Sequence, residues 1–208
     1  MEPRYPFRVV TPTLDGDVLR VLAEAEASLT GREINRRVGH SSHEGVRLAL
    51  DRLAGQGIVG RTRAGTAILY RLNRDHLAAP WIEGLASLRL QLIDRLRTAL
   101  EGWAIRPSLA VLFGSFARGD AGRESDLDLL LVRPQGCDTD DATWRDQVAS
   151  LEAAASAWTG NDARVLEYGE AEARRLGRSE PVLAEAASEG VELAGSLGTL
   201  RRATRSRQ

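Results

Sequence analysis

The chain has one cysteine, Cys137, no lysine among its 28 basic residues, and only 5% aromatic residues across 208 positions. A single thiol makes no internal disulfide and supplies no multi-cysteine metal site. An unpaired cysteine suits a reducing compartment, which excludes a disulfide-built secreted scaffold. The missing lysines, beside abundant alanine and glycine, follow a GC-rich coding bias and carry no functional weight. Long apolar runs are missing as well. The amino terminus MEPRYPFRVV has no apolar stretch behind a basic start, and the run from Leu127 to Val132 is interrupted by Asp128, far short of the ~20 residues that span a bilayer. A soluble, cytoplasmic protein with no membrane partner is expected. The 43% of hydrophobic residues suffices for one large domain or two small ones and argues against global disorder.

The net charge of −1 hides an uneven distribution. Residues 1–75 carry 12 arginines against 9 acids, residues 76–200 carry 12 against 20, and residues 201–208 carry 4 against none. The first segment suits a polyanion; the second concentrates carboxylates that suit cations or metal-bound phosphates.

Hydrophobic periodicity divides the first segment into helices and a hairpin. Val18, Leu19, Leu22, Ala25 and Ala27 form one stripe that ends at Leu29-Thr30-Gly31. Thr30 or Gly31 caps a second helix over residues 32–38, with Ile34 and Val38 four apart and Gly39 closing it. Ser41 or Ser42 caps a third helix, Glu44 standing three residues after Ser41 as in a capping box, with Val46, Leu48, Leu50 and Leu53 as its apolar positions and a stop at Gly55 and Gly57. Residues 58–63 and 67–72 then read as two strands around Ala64-Gly65-Thr66.

Three helices followed by a hairpin, ending in LDRLAGQGIVGRTRAGTAILYRLNRDH, resemble the winged helix-turn-helix fold of bacterial transcription regulators. The resemblance implies that the third helix enters the major groove of double-stranded DNA while the wing touches backbone. Ser41, Ser42, His43 and Arg47 then approach bases or phosphates, and Arg61 and Arg63 hold phosphates, with Arg36 and Arg37 adding to that face. The competing readings are a solvated polar surface and a protein-docking module. A net +3 over residues 1–75 is modest for a DNA binder, so a homodimer is expected.

Residues 76–104 read as one linking helix, with Leu85, Leu88, Leu92, Leu96, Ala99 and Leu100 at helical spacing and Arg106-Pro107 beyond its end. The next stretch carries chemistry. Leu109 to Phe113 is a buried-type strand, Gly114-Ser115 breaks it, residues 116–118 start a helix, and Leu127 to Val132 is a second strand. Alternation puts Asp126 and Asp128 on one side of that strand and Leu127 and Leu129 on the other. Two like charges side by side in a strand are either solvated or bridged by a cation. Gly-Ser running into a helix leaves backbone N–H groups and a hydroxyl for an anion. Phosphate on one side and Mg²⁺ on the other describe a nucleotide site.

GSFARGDAGRESDLDLLLV, with GS, ten residues and then DLD, resembles the nucleotidyltransferase superfamily related to DNA polymerase beta, in its minimal bacterial branch. The resemblance runs from residue 105 to about 195. It implies that Gly114 and Ser115 bind the triphosphate and that Asp126 and Asp128 hold two metals, Mg²⁺ or alternatively Mn²⁺. An NTP, with ATP as first choice, then gives up its NMP and releases pyrophosphate. Arg118 is placed on the phosphates, Ser125 beside the nucleotide, and Arg123 is more readily a solvated loop charge. The third carboxylate usual in the family falls on Glu167 in the strand 163–168, with Asp162 as the alternative and Arg164 as a competitor for the place. A basic residue there leaves a domain that senses NTP and Mg²⁺ without turnover. Small members of the family resemble antitoxins that nucleotidylate a partner toxin, so a protein acceptor stands beside a small-molecule hydroxyl.

The expected fold class is α/β (α+β): winged helix over 1–75, linker helix over 76–104, nucleotidyltransferase fold with a small mixed sheet flanked by helices over 105–200, and an arginine-rich disordered tail over 201–208. The HxxH spacing of His40 and His43 lacks further zinc ligands and reads as helix-turn polarity. His76 stands alone, Cys137 has no identifiable base, and the acids at 138, 140 and 141 read as a helix cap.

Overall fold

The computed structural model describes residues 1–177 and 179–204. The chain divides into two compact units, one holding residues 4–89 with Glu2 and the other running from residue 90 with Met1 and Pro3.

In the amino-terminal unit, a 3-10 turn at Pro6–Val9 precedes helix α1 (Leu14–Ala23), strand β1 (Leu29–Thr30), helices α2 (Gly31–Val38) and α3 (His43–Gly55), strands β2 (Val59–Ala64) and β3 (Ala67–Leu72), and helix α4 (Ala79–Ala86). Its strands form an antiparallel sheet in the order β1-β3-β2. Val18, Val21 and Leu22 of α1 pack with Val46, Ala49, Leu50 and Leu53 of α3 and with Tyr70 and Leu72 of β3. Each buried valine or leucine of this set contributes about 2 kcal/mol.

Three details differ from the sequence reading. Helix α1 stops four residues early, because Leu29 and Thr30 pair with Tyr70 and Leu69. The capping box lies at α2: Thr30 Oγ1 accepts from Glu33 N, and the Glu33 carboxylate accepts from Thr30 N at 2.7 Å. Helix α3 is capped by Ser42, one of the two serines expected there, whose hydroxyl accepts from Gly45 N. Leu48, expected in the core, is 49% exposed and Ala49 takes the buried position.

The carboxy-terminal unit comprises α5 (Leu88–Glu101, whose first residues fall before the boundary), β4 (Leu109–Phe113), α6 (Gly114–Arg118), β5 (Leu127–Arg133), α7 (Ala142–Thr159), β6 (Ala163–Gly169), α8 (Glu170–Leu176), α9 (Pro181–Glu189), β7 (Val191–Gly195) and α10 (Leu197–Thr204). The expected linker helix is thus two helices, interrupted at Ser87. Leu85 joins the amino-terminal core, whereas Leu92, Leu96 and Leu100 join the carboxy-terminal one. Residues 201–204, expected in a tail, close α10, and residues 205–208 of that tail lie outside the described residues.

The sheet order is β6-β5-β4-β7, with β5 and β6 parallel and the other pairs antiparallel. Period-two alternation feeds two cores. Leu127, Leu129 and Leu131 pack with α5 and α7 around the buried Trp144. Leu130 and Val132 pack with Leu183, Ala186 and Leu200 on the other face. The result is a mixed α/β unit of three layers. Among the described residues no helix is long and apolar enough to cross a membrane.

Candidate active site

Asp126 and Asp128 stand where β5 leaves its loop. Phe113, at the end of β4, is in register with Asp128, so the strand-to-helix turn that follows meets the Asp128 side chain. That meeting requires glycine. Gly114 has φ +68, and a Cβ there would lie 2.8 Å from Asp128 Oδ2. The glycine therefore serves both the left-handed backbone and the approach of a carboxylate. Ser115 follows, half-buried, and its carbonyl accepts from the N–H groups of Gly119, Asp120 and Ala121, which closes the single turn of α6.

Burial pushes the Asp128 carboxyl above its ordinary range, the negative charge of Asp126 adds to this, and Arg164 pulls it back. Glu185 of α9 pushes in the same direction as Asp126, and Arg118 opposes it. A half-buried carboxylate surrounded by further acids is short of positive charge.

Part of that charge comes from β6. Arg164 is in register with Asp128, and its Nη1 lies 2.7 Å from Asp126 Oδ2 while its Nε donates to Asp162 Oδ2 at 3.3 Å. Asp162, Arg164 and Leu166 alternate onto the face of Asp126 and Asp128.

Glu167, expected as the third carboxylate, is on the opposite face: it pairs in register with Leu131, and its carboxylate accepts from Trp144 Nε1 and from Arg133 Nη1. The period of two forbids Glu167 and Arg164 from sharing a side. Glu167 therefore anchors the core helix α7 and is removed from the site, and Arg164 occupies the place that the third acid was expected to fill.

The nucleotide-binding assignments divide similarly. Arg118 Nη1 is held at 3.0 Å by both Glu185 and Glu189, and these carboxylates keep its guanidinium protonated well beyond its usual range. Ser125 Oγ accepts from Gly122 N at 2.9 Å, which gives that hydroxyl a role in closing the loop. Arg123 is exposed on the same loop.

A residue that the sequence reading passed over holds this loop in place. The buried Asn161 donates from Nδ2 toward the carbonyls of Gly122, Arg123 and Ser125 at 3.2, 3.1 and 2.9 Å. Leu127 N donates to Asp162 O beside it. Asn161 thus fixes the segment that presents Asp126. Its only sequence signal was a Gly-Asn-Asp turn, which announces a bend and not a clamp.

Two oxygen donors of this kind suit a hard divalent ion completed by substrate phosphates. They do not amount to an all-protein metal site: among the described residues no group of three His, Cys, Asp or Glu side chains is placed to hold an ion. The donor chemistry, two carboxylates of which Asp128 lies directly against a turn without a side chain at Gly114, fits a hard divalent ion such as Mg²⁺ or Mn²⁺ bound together with a nucleotide.

The amino-terminal candidates are distributed over a surface. His43 and Arg47 line a 580 Å³ groove with Arg32, Ile68 and Tyr70. Arg47 is paired within its own helix to Glu44 at 2.6 Å and Asp51 at 2.7 Å, and Arg61 also reaches Asp51. Arg63 donates to Gly65 O, and Ser41 Oγ donates to Asn35 Oδ1. Ser42 is spent on the cap. Both histidines of the HxxH pair are exposed, His40 with its Nε2 3.0 Å from the buried Asp17 and His43 lining the groove.

No curated protein matches the chain. Among solved structures, a toxin–antitoxin with AMP-PNP shows 18% identity and a TM-score of 0.38, covering 54% of this chain and 80% of that one. A mutant of the toxin–antitoxin MntA-HpeT shows 16% identity and a TM-score of 0.39 with the same coverage. Residues 92–169, the stretch that contains Gly114, Ser115, Asp126, Asp128 and Arg164, match the family model described as Nucleotidyltransferase domain.

Proposed function

We propose that the carboxy-terminal unit binds an NTP, ATP first, with Mg²⁺ or Mn²⁺ and transfers its NMP to a hydroxyl acceptor, releasing pyrophosphate. The observation that carries this reading is the meeting of Asp126, Asp128 and the Gly114–Ser115 turn at one strand edge. Asp126 and Asp128 would hold the ion, which when bound supplies charge neutralisation at the phosphates. Gly114 lets the turn approach Asp128 closely, and Ser115 would offer its hydroxyl at the same turn. Arg118 holds Glu185 and Glu189 through Nη1 and Asp120 through Nε, and reaches phosphate oxygens by exchanging some of these acceptors or through its remaining N–H donors. With Glu167 on the far face, Asp162 is the acid of β6's approach that shares the side of Asp126 and is best suited to take the acceptor's proton.

A second reading is favoured by one contact. Because Arg164 already neutralises Asp126, the unit also suits a sensor that binds NTP and metal without turnover. Incubation with Mg²⁺ and each α-labelled NTP, alone and with cell extract, beside an Asp126→Asn/Asp128→Asn variant, separates the two. Label transfer lost in the variant supports the transferase; nucleotide bound with no label moved supports the sensor.

For the amino-terminal unit we propose a winged helix that contacts double-stranded DNA through α3 and the β2–β3 hairpin as a homodimer, giving the transferase a regulatory setting with a protein as acceptor. The support is the order of elements and the arginines at α3 and the hairpin. Retention of a duplex from upstream of its own gene that weakens steeply with salt is the expected result. Equal indifference to every duplex would replace DNA by a protein partner on this surface.

A further inference from the structure

Arg164 is a fixed cation inside a site otherwise read as a metal centre. It stands on the edge strand β6 in register with Asp128, contacts Asp126 Oδ2 at 2.7 Å, and reaches Asp162 on its other side. No third carboxylate among the described residues joins Asp126 and Asp128 in a metal-binding group. Glu167, the one acid within β6, is spent on Trp144 and Arg133 across the sheet.

Resting on the nucleotide-site reading above, we propose that this site takes a single divalent ion, and that the Arg164 guanidinium stays on Asp126 as the second positive charge facing the triphosphate. Two divalent ions need carboxylates to bridge and flank them, and each brings a charge of two toward an arginine already in contact with one of the ligands. The second ion is therefore opposed twice, by the missing ligand and by like charge. Arg164 does not compete with a nucleotide in the same way. It is 62% exposed, and a guanidinium has five N–H donors, of which the contacts to Asp126 and Asp162 use only some. It can hold a carboxylate and a phosphate oxygen together, which a lysine in its place would do only as a point charge. Arg164 is accordingly a positioning residue that sets metal number and affinity.

The test is a Mn²⁺ titration of the full chain without nucleotide, with free ion followed by electron paramagnetic resonance. Wild type, Arg164→Ala, Arg164→Lys and Asp126→Asn/Asp128→Asn are compared, with a thermal melt of each to confirm folding. Wild type should bind one ion, and Arg164→Ala should bind Mn²⁺ about tenfold more tightly, as expected from removing a unit charge a few ångströms away at a solvated site. Arg164→Lys keeps the charge and should stay near wild type. Two ions in wild type, equal affinity in wild type and Arg164→Ala, or tightening in Arg164→Lys as large as in Arg164→Ala would each overturn the proposal while leaving the nucleotide site standing. Where wild type takes up the ion only with a non-hydrolysable ATP analogue present, the same comparison is read in that state; no binding in either state, or binding undiminished in the Asp126/Asp128 variant, would remove the site itself.

Discussion

The two units carry their charges in opposite ways. In the amino-terminal unit Arg47 of α3 and Arg61 of the hairpin lie on the surface and pair with acids of α3: Arg47 with Glu44 and Asp51, Arg61 with Asp51 again. Such pairs are worth about 0–1 kcal/mol, dissolve in salt, and are easily exchanged for phosphates. In the carboxy-terminal unit the acids stand half-buried at a strand edge, where desolvation and a neighbouring carboxylate push Asp128 upward and a partner strand supplies only one nearby cation. The first arrangement costs the fold little and commits it to little. The second keeps ionised groups where water is scarce, a cost that a bound cation relieves.

If that contrast holds, substitutions of the two strand-edge acids should remove chemistry without unfolding the chain, and substitutions on the α3 surface should change neither fold nor melting. The largest effect is expected for Asp126→Asn/Asp128→Asn: label transfer falling by about 100-fold or more, while the melting temperature without metal stays level or rises because a desolvated like-charge pair is gone. A variant that loses activity and also fails to fold would show the acids to be structural. Next comes Gly114→Ala. A left-handed φ and a Cβ 2.8 Å from Asp128 Oδ2 should cost about 1–3 kcal/mol by denaturant unfolding and weaken Mg²⁺-nucleotide binding.

Asn161→Ala should cost about 1–3 kcal/mol, because it leaves the loop carbonyls of Gly122, Arg123 and Ser125 without their shared donor. It should also weaken metal binding, although Asn161 is no ligand; unchanged metal affinity would show that the loop holds its shape without the clamp. In the other unit, Thr30→Ala should cost about 1 kcal/mol through loss of the α2 cap. The Glu33 carboxyl of that cap is held below its ordinary range, first by the N–H of Thr30. Its stabilisation is therefore present above the ordinary carboxylate range and is lost as pH falls through the depressed value, which an acid titration of wild type against Glu33→Gln would show. Smallest in stability is Arg47→Ala: within about 1 kcal/mol by melting, yet lowering the salt slope of duplex binding by about one if Arg47 meets a phosphate.

How much of this was legible in the sequence depended on whether a local rule decided it. The turn and the paired acids were readable because glycine after an apolar strand and Asp-Leu-Asp at the start of another break ordinary strand composition. The hairpin, the cap at Asp141 and the closing glycines followed from local chemistry in the same way. Glu167 was misplaced because its face depends on register against β5, which no local pattern reports; alternation alone did separate it from Arg164. Asn161 was missed because its three acceptors lie 36 to 39 residues away. The interruption at Ser87 carried no glycine or proline at that position, and only the division of Leu85 and Leu92 between two cores explains it. Leu48 was assigned to the core by counting apolar residues, whereas the helical period selects Val46, Ala49, Leu50 and Leu53.

The central claim is that Asp126 and Asp128 beside Gly114 form a metal-dependent nucleotide site. Calorimetric titration of ATP into the full chain, with Mg²⁺ and with chelator, in wild type and in Asp126→Asn/Asp128→Asn, tests it most directly. The account predicts binding that requires Mg²⁺ and disappears in the variant; ATP binding of equal strength in the chelated protein or in the variant would contradict it.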